Sequence, residues 1–416
     1  MFYYKLKDKF LISSEEYPGL KRVPEKEVKA CQDIIYALTR INPWKSRRSF
    51  CVSDPSLLFL KEEGIELIQK TKQVDYFLPN WLESKIKNRE ICSINTEYPG
   101  WSKVFTYQSP EKWKINILGL GDVGGTILTG LRLLGGKWIK SIGIYDKNDQ
   151  LVKRWEREAN QIIDPSVNKK FPEVYPVKES NLFDVDLFIF CATVGVPPLS
   201  QVKKDVRMEQ WEGNSRIISN FARQAREKSF RGIFVVVSDP VDLLCKAAFL
   251  SSNRDKGGEL DFKGLAAEQV RGYGLGVMYA RARYYAKKTA QARNYDKEVR
   301  AFGPHGQGLV IANSIKRYNE NLSEILTEKT LRANLEIREL GYKPYIAPAL
   351  SSVCLPLLAT IQGKWHYSSI FLGGTYMGLR NRLLPSGTEL ERLCIPRLLM
   401  EKIKNSYFEL SNISNQ

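Results

Sequence analysis

The sequence contains few histidines and no paired cysteines. Only two of its 416 residues are histidine, and its seven cysteines are far apart with no C-x-x-C pair. This pattern argues against a disulfide framework or a zinc ribbon and predicts a reducing, cytoplasmic location. No apolar run reaches the roughly 18 residues of a membrane span. The first residues, MFYYKLKDKFLISSEE, lack the apolar stretch of a secretory signal. We therefore expect no membrane association.

Positive charge is the clear excess in the composition. There are 63 lysines and arginines against 46 acidic residues, which gives a formal net charge of +17. A basic protein can attract nucleic acid or an anionic substrate. Here the basic residues are scattered among acidic ones, and the densest cluster, KSRRS at 45–49, has no nucleic-acid motif beside it. We expect a solvated basic surface and a small anionic substrate, with nucleic-acid binding as the less favoured alternative.

Short β-rich runs alternate with helical stretches from Lys114 onward. The runs are KINILGL, SIGIYD, DLFIFCA and GIFVVVSD. This alternation predicts an α/β fold with a parallel sheet and crossover helices. Residues 1 to about 110 combine two predicted helices, EKEVKACQDIIYALTRI and EEGIELIQKTK, with short strands such as RSFCVSD. We predict a small α/β unit there, of unknown role, joined to the rest through the turn-rich stretch 95–113.

The segment INILGLGDVG carries three glycines with G-x-G-x-x-G spacing between a predicted strand and a predicted helix. In such a turn, Gly119 allows the tight bend, Gly121 lets the backbone approach a pyrophosphate, and Gly124 lets the helix pack against the strand. The next strand ends at Asp146, whose carboxylate could accept ribose hydroxyls and would repel a 2′-phosphate. The pattern favours NAD over NADP. A tight strand–helix turn without a ligand stays the alternative.

From about 114 to about 410 the chain resembles the lactate/malate dehydrogenase family. The resemblance rests on seven segments in order, namely ILGLGDVGGTILTGLRLLG, IYDKNDQLVKRWEREANQI, CATVGVPP, VRMEQWEGNSRIISNFARQAR, VVVSDPVDLL, GYGLGVMYARARYYA and AFGPHGQ. It implies a Rossmann-type sheet in 113–245, an α+β substrate and catalytic domain in 246–416, and an extension in 1–112. It also implies a homo-oligomer, either a dimer or a tetramer.

The chemistry of this family is hydride transfer between nicotinamide and C2 of a 2-hydroxy or 2-oxo acid. The resemblance implies that His305 exchanges the hydroxyl proton and that Arg281 grips the substrate carboxylate as a fork. It makes Arg207 the arginine that polarises the carbonyl, and Gln201 falls where the family sets specificity for the substrate side chain. A loop histidine with a packing role is the alternative for His305. The implied cofactor-binding residues are Gly119, Gly121, Asp122, Val123, Gly124, Asp146, Thr193 and Gly195.

Three residues depart from the family pattern. Met278 stands where an aspartate should orient the histidine, and a thioether cannot accept a strong charge-assisted hydrogen bond. Asp239 replaces an asparagine of the pocket, and Lys343 replaces a threonine beside the substrate. We expect Asp239 to contact a cation, which would be Lys343, protonated His305, or an ammonium or iminium group of the substrate. Our hypothesis is that Asp239 replaces the missing aspartate, directly on His305 or through Lys343.

These features predict an NAD-dependent oxidoreductase with an altered substrate or mechanism. A protein that binds NAD without turnover is the alternative, because the departures fall among the inner polar residues. A third possibility is a family 4 glycosidase, which has a related fold and needs a metal site made of cysteine and histidine. Neither His305 nor His366 has a cysteine beside it in sequence, so we predict no metal.

Overall fold

The structure is a computed structural model that describes residues 1–70, 78–165, 171–194 and 206–414, except the side chains of 206–209 and 414. Within these residues the strands form a six-stranded sheet, a nine-stranded sheet and a two-stranded hairpin. The six-stranded sheet comes from the N-terminal part of the chain, and the other two come from the remainder.

The N-terminal sheet is mixed. Its strands are β1 (Phe2–Leu6), β2 (Lys9–Ser13), β3 (Lys21–Arg22), β4 (Ile35–Thr39), β5 (Ser49–Cys51) and β6 (Ile91–Asn95). They lie in the order β3-β1-β2-β4-β6-β5, with β4 parallel to both β2 and β6. Every residue of β4 and β6 is buried, so these strands form the centre of the unit. Two helices belong to the same part, α1 (Glu25–Lys29) and α2 (Asn80–Lys87).

The large sheet has a parallel and an antiparallel part. The parallel strands are β7 (Trp113–Leu118), β8 (Ile139–Tyr145), β9 (Glu173–Pro176), β10 (Leu187–Phe190), β11 (Ile233–Val236) and β12 (Val270–Gly272). Their order, β9-β8-β7-β10-β11-β12, is the 3-2-1-4-5-6 order of a Rossmann fold. Next along the chain, β13 (Arg300–Phe302) and β14 (Val310–Ala312) form the separate hairpin. The large sheet then continues beyond β12 with three antiparallel strands, β15 (His366–Leu372), β16 (Thr375–Leu384) and β17 (Gly387–Leu390).

Eight further helices surround these strands. They are α3 (Asp122–Leu134), α4 (Asp149–Asn160), α5 (Val206–Glu227), α6 (Val241–Ser252), α7 (Leu275–Lys288), α8 (Glu320–Glu339), α9 (Leu355–Ile361) and α10 (Arg397–Ser414). A π-helical turn, Pro348–Cys354, leads into α9. Across the described ranges, the structure has no helix that combines the length and the apolar character needed to cross a membrane.

Both faces of the parallel sheet are covered, which explains the unbroken apolar runs of its strands. On one face Ile117 and Ile189 pack with Leu128 of α3. On the other face Phe188 and Phe190 pack against α5 and α6. Because successive strand residues point to opposite faces, each strand contributes side chains to two separate hydrophobic cores.

The predicted fold class is confirmed, and so are the four strands that we predicted from Lys114 onward. The long helix predicted from EKEVKACQDIIYALTRI is wrong. The structure has only the short α1 there, followed by β4, because residues 35–39 are buried from both sides as a central strand. The predicted helix EEGIELIQKTK contains a 3-10 turn, Ile65–Ile68, and its end lies outside the described residues. The domain boundaries at 112 and 245 stay predictions.

Candidate functional site

The glycine turn lies at the carboxyl end of β7, in the middle of the parallel sheet. Gly119 has a φ of +93°, a conformation that side chains other than glycine rarely adopt. Its N–H donates to the Tyr145 carbonyl at 2.9 Å, which ties the turn to β8. Gly121 then caps the N-terminus of the 13-residue α3. The first N–H groups of that helix are therefore presented where the sheet ends, the usual place for a phosphate.

Steric contacts distinguish the glycines that follow. A Cβ on Gly124 would lie 1.9 Å from the carbonyl oxygen of Gly119, so any larger residue would force the turn to shift. A Cβ on Gly125 would lie 1.9 Å from the ring of Trp155, whose indole N–H donates to the Leu120 carbonyl at 3.0 Å. Around Gly121, in contrast, an added Cβ would meet no atom of the described residues within 4 Å other than its chain neighbours. The backbone is thus open to a ligand at Gly121 and closed by packing at Gly124.

Asp146 follows β8 and holds the glycine turn. One of its carboxylate oxygens accepts the Leu120 N–H at 2.8 Å, and the other accepts the Asn148 N–H at 2.9 Å. A carboxylate has about four acceptor sites, so the two backbone bonds leave capacity for hydroxyl donors. The open Gly121, the N-terminus of α3 and this carboxylate together fit a dinucleotide with a free ribose diol.

His305 lies in the loop that joins β13 to β14. The loop is bounded by two glycines in the left-handed region, Gly303 and Gly308, with φ of +98° and +85°. Gly274 leaves room for the histidine, since a Cβ there would lie 2.8 Å from the Cβ of His305. The imidazole is mostly buried, with 12% of the side chain exposed. Its Nε2 is buried and has no hydrogen-bond partner among the described residues.

Asp239 faces the other ring nitrogen of His305. Its Oδ1 lies 3.4 Å from Nδ1, a long contact that would become an ion pair on protonation of the ring. Asp239 is held through its backbone, because the fully buried Asn214 of α5 donates to the Asp239 carbonyl at 2.8 Å. Asn214 also accepts the Val194 N–H at 2.9 Å. A single amide thus connects the loop after β10 with the residue beside the histidine.

A second carboxyl, Asp242, lies behind the histidine, and our sequence predictions did not include it. It is buried in the first turn of α6, accepts the Ser369 hydroxyl at 2.6 Å and accepts the backbone N–H of His305. Burial raises the pKa of its carboxyl to about 7. The only signal in the sequence was its position three residues after Asp239 in SDPVD, which is not diagnostic by itself.

Met278 and Arg281 lie on α7 and contact each other. Met278 is fully buried in an apolar cluster with Leu275 and Val277. Its sulfur lies 3.7 Å from Nη1 of Arg281, and Nη2 of the same guanidinium donates to the side-chain oxygen of Asn334 on α8. Arg281 is half-buried. A carboxylate placed at position 278 would enter an apolar core.

The remaining predicted residues are distributed differently. Lys343 lies 3.2 Å from the carboxylate of Asp122, at the start of α3, and both side chains are exposed. In the structure, Lys343 therefore contacts the helix that follows the glycine turn. Thr193 is exposed after β10, and Val123 is half-buried in α3. Gly195, Gln201 and the side chain of Arg207 lie outside the described residues.

The arrangement around His305 is chemically suited to proton transfer. An imidazole with one nitrogen facing a carboxylate and the other unpaired can pass a proton to a bound group and be stabilised when charged. Within the described part of the chain, no group of three histidine, cysteine, aspartate or glutamate side chains could hold a metal ion. All seven cysteines are free thiols.

Comparison with curated proteins identifies L-lactate dehydrogenases as relatives. The enzyme of Mesomycoplasma hyopneumoniae strain 232 is 27% identical over 202 residues, which are 48% of this chain and 58% of the relative. That of Mycoplasma mobile is 26% identical over 218 residues, 51% of this chain and 62% of the relative. The chain thus spans about three fifths of the length of the curated relatives it matches. No family model matches it.

Solved structures with the same fold are lactate and malate dehydrogenases. A minor L-lactate dehydrogenase from Enterococcus mundtii in a ligand-bound form aligns with a TM-score of 0.60 at 20% identity, covering 74% of this chain and 98% of that one. Malate dehydrogenase from Archaeoglobus fulgidus in complex with NADH aligns with a TM-score of 0.57 at 18% identity, covering 73% and 98%. At these identities the likeness establishes the fold.

Proposed function

We propose that this chain, a divergent member of the lactate/malate dehydrogenase family, is an NAD-dependent oxidoreductase that acts on a 2-hydroxy or 2-oxo acid or a related substrate. The observation that carries the proposal is the environment of His305. One ring nitrogen faces Asp239 at 3.4 Å, and the other is buried without a partner among the described residues. This is the arrangement that a proton carrier needs beside a reacting hydroxyl.

In this proposal, Asp239 takes the orienting role that an aspartate at position 278 would otherwise have. Its negative charge stabilises the imidazolium that forms when His305 takes the hydroxyl proton. The Asn214 bond to the Asp239 carbonyl holds the backbone that carries this carboxylate. The carboxylate therefore reaches Nδ1 from the loop after β11 rather than from α7.

The cofactor would be held by the glycine turn, and Gly121, the N-terminus of α3 and Asp146 support this assignment. Bound NAD would accept or supply the hydride. Backbone N–H groups at the start of α3 would hold its pyrophosphate, and the carboxylate of Asp146 would hold its ribose and disfavour a 2′-phosphate. By resemblance, Val123, Thr193 and Gly195 are the remaining residues of the proposed cofactor site.

Arg281 is our candidate for the substrate carboxylate. Its guanidinium is half-buried and donates to the side-chain oxygen of Asn334, and the planar fork of a guanidinium matches the two oxygens of a carboxylate. Arg207 and Gln201 complete the proposed substrate contacts by resemblance. Lys343, which pairs with exposed Asp122 in a weak surface contact, could exchange that partner for an acidic group of the substrate.

An NAD-binding protein without turnover is the second candidate, and Met278 favours it. Its thioether lies in an apolar cluster, so no carboxylate at that position supports the histidine. The long 3.4 Å contact of Asp239 is a weaker substitute than a short hydrogen bond. The two candidates share cofactor binding and differ in proton transfer.

We also propose a homo-oligomer. Helix α8 and the residues after it carry several exposed apolar side chains, namely Leu331, Leu335, Leu340 and Tyr342, with 36%, 52%, 69% and 73% of their surface exposed. Such a patch marks an association surface in soluble proteins. Light scattering after gel filtration should give a mass above that of one chain, and Leu335→Glu should reduce it.

The test of function measures binding and turnover separately. NADH binding is followed by fluorescence titration, and turnover is followed by NADH absorbance with a panel of 2-oxo acids. We expect the protein to bind NADH and to reduce at least one of the acids. His305→Asn should lower kcat by about 10² to 10⁴ without weakening the affinity for NADH. Binding without turnover across the panel would establish the second candidate, and absence of NADH binding would refute both.

A further inference from the structure

A large cavity lies at the amino ends of the parallel strands, away from the glycine turn. Its volume is about 920 Å³, within the range of small-molecule sites. Lys114 at the start of β7 and Ile233 at the start of β11 line it, as does Asp186 just before β10. The glycine turn lies beyond the opposite end of β7. The cavity is therefore separate from the site described above.

The N-terminal sheet and the chain that follows it close the cavity. Tyr36 of β4 and Cys92 of β6 line one side, together with Tyr107 of the connecting stretch. Phe230 and Phe262 contribute apolar surface from the large sheet's own part of the chain. The cavity thus exists only because residues 1–112 are folded against the remainder, and it has both apolar and polar walls.

Positive charge predominates around this cavity. Among the described residues, eight lysines and arginines line it against three carboxylates. Glu268 is already engaged, since it accepts the backbone N–H and the Nε of Arg48 at 3.0 and 3.2 Å. Lys114 and Arg231 are exposed and make no ion pair with a described carboxylate. The net positive lining attracts anions.

Arg271 is the feature that identifies the ligand class. It lies on β12 with only 1% of its surface exposed, and it lines the cavity. Its guanidinium donates to the side-chain oxygens of Asn381 at 3.1 Å and of Thr388, both of which are neutral. Among the described residues, no carboxylate lies within ion-pair distance of it. A buried cation without a counter-ion costs several kcal/mol, and an anion in the cavity would offset that cost.

We propose that this cavity binds a small organic anion, a metabolite carrying carboxylate or phosphate groups, and that Arg271 pairs with its oxyanion. Arg231 and Lys114 neutralise a further anionic group toward the exposed side. The aromatic rings contact the organic part of the molecule. The proposal does not depend on the proposed oxidoreductase function, because the two sites lie at opposite ends of the same strands.

The test is calorimetric titration of the full chain with two probes, pyrophosphate for phosphate groups and citrate for carboxylate groups. We expect at least one to bind with a Kd below about 1 mM. Arg271→Gln keeps hydrogen-bonding capacity but removes the charge, and it should weaken that binding by about 10- to 100-fold. The control is Arg397→Gln, an exposed arginine of α10 paired with Glu401, which should leave binding unchanged.

Two further variants keep the test decisive. Lys114→Gln combined with Arg231→Gln changes exposed side chains only and should weaken binding several-fold even if Arg271→Gln does not fold. Gly121→Ala reports on binding at the glycine turn, and it should leave binding in the cavity intact. If neither probe binds, or if binding falls with Gly121→Ala and not with the cavity variants, the proposal is wrong.

Discussion

The glycine turn and the pocket around His305 are two regions of one candidate site, and they are built on different principles. In the turn, backbone sterics assign each role, as at Gly124, where a Cβ would lie 1.9 Å from a carbonyl oxygen. In the pocket, the SDPVD segment with Asp239 and Asp242 meets His305 from a distant loop, and the proposed roles depend on charge. A steric role is visible in a local stretch of sequence, whereas an electrostatic role depends on which segments the fold brings together. The predictions below test this difference.

The largest effect should come from removing the charge of Asp239. Asp239→Asn keeps the size of the side chain, and we expect kcat to fall by at least about 100-fold because His305 loses its anionic partner. Binding of NADH should be unchanged, since the turn is independent of this residue. Steady-state kinetics and NADH titration of the same preparation measure the two quantities.

A second substitution sharpens this test. Met278→Asp places a carboxylate on α7 at a cost in stability, because the position lies in an apolar cluster, and in the Asp239→Asn background it should recover part of the lost kcat. Met278→Leu is the matched control, because it changes the side chain without adding a charge. If Asp239→Asn leaves kcat intact or raises it with ordinary 2-oxo acids, Asp239 does not orient the histidine.

The buried Asp242 should make stability depend on pH. Burial raises the pKa of its carboxyl to about 7 in the folded protein, from an ordinary value near 4. The stability it contributes is therefore fully present below about pH 4 and is lost as the pH rises toward 7. Asp242→Asn should remove this loss. The free energy of unfolding, measured with urea at several pH values, should fall between pH 4 and 7 by about 2 to 4 kcal/mol more in the wild type than in the variant. Parallel curves for the two proteins would contradict the assignment.

Two glycine substitutions separate packing from ligand access. Gly124→Ala should destabilise the fold by about 1 to 3 kcal/mol, because the turn must shift to admit the methyl group. Gly121→Ala should change stability by less than about 0.5 kcal/mol, since open space surrounds that position. It should nevertheless weaken the affinity for NADH at least about tenfold, because the added methyl group would occupy the space of the pyrophosphate. Equal NADH affinity in Gly121→Ala and wild type would place the ligand elsewhere.

The smallest effect concerns the choice of cofactor. Asp146→Asn removes the charge that disfavours a 2′-phosphate, and we expect the preference for NADH over NADPH to fall about 3- to 10-fold. Asp149→Asn at the exposed start of α4 is the control and should leave the ratio unchanged. Fluorescence titration with both nucleotides gives the ratio. An unaltered ratio in Asp146→Asn would mean that another residue discriminates between them.

Much of the fold could be predicted from the sequence, because the strands of a parallel sheet covered on both faces are continuous apolar runs. The four runs from Lys114 onward and the glycine turn were identified in this way. The N-terminal part was harder. Its β4 sequence, IYALT, is equally apolar in a helix or a strand, and only its burial between β2 and β6 decides the outcome.

The candidate site could be predicted only in part. His305 and Asp239 were found from motif segments, and the contact between them was one of the alternatives that the sequence left open. The role of Asp242 could not be found, because it depends on Ser369 and on a backbone N–H of the β13–β14 loop, which are far away in sequence. For the same reason, nothing in the sequence connected Arg271 with Asn381 and Thr388.

The contacts between residues 1–112 and the remainder have a consequence for truncation of this chain. The carboxylate of Glu268 pairs with the guanidinium of Arg48. The buried Arg392 pairs with Asp54 and donates to the carbonyls of Leu67 and Gln69. Deleting the segment would remove these partners and, with them, part of the surface that covers Glu268 and Arg392. The segment therefore serves as a structural support for the remainder, and a chain that begins near residue 113 should be less stable than the full chain whatever else the segment does.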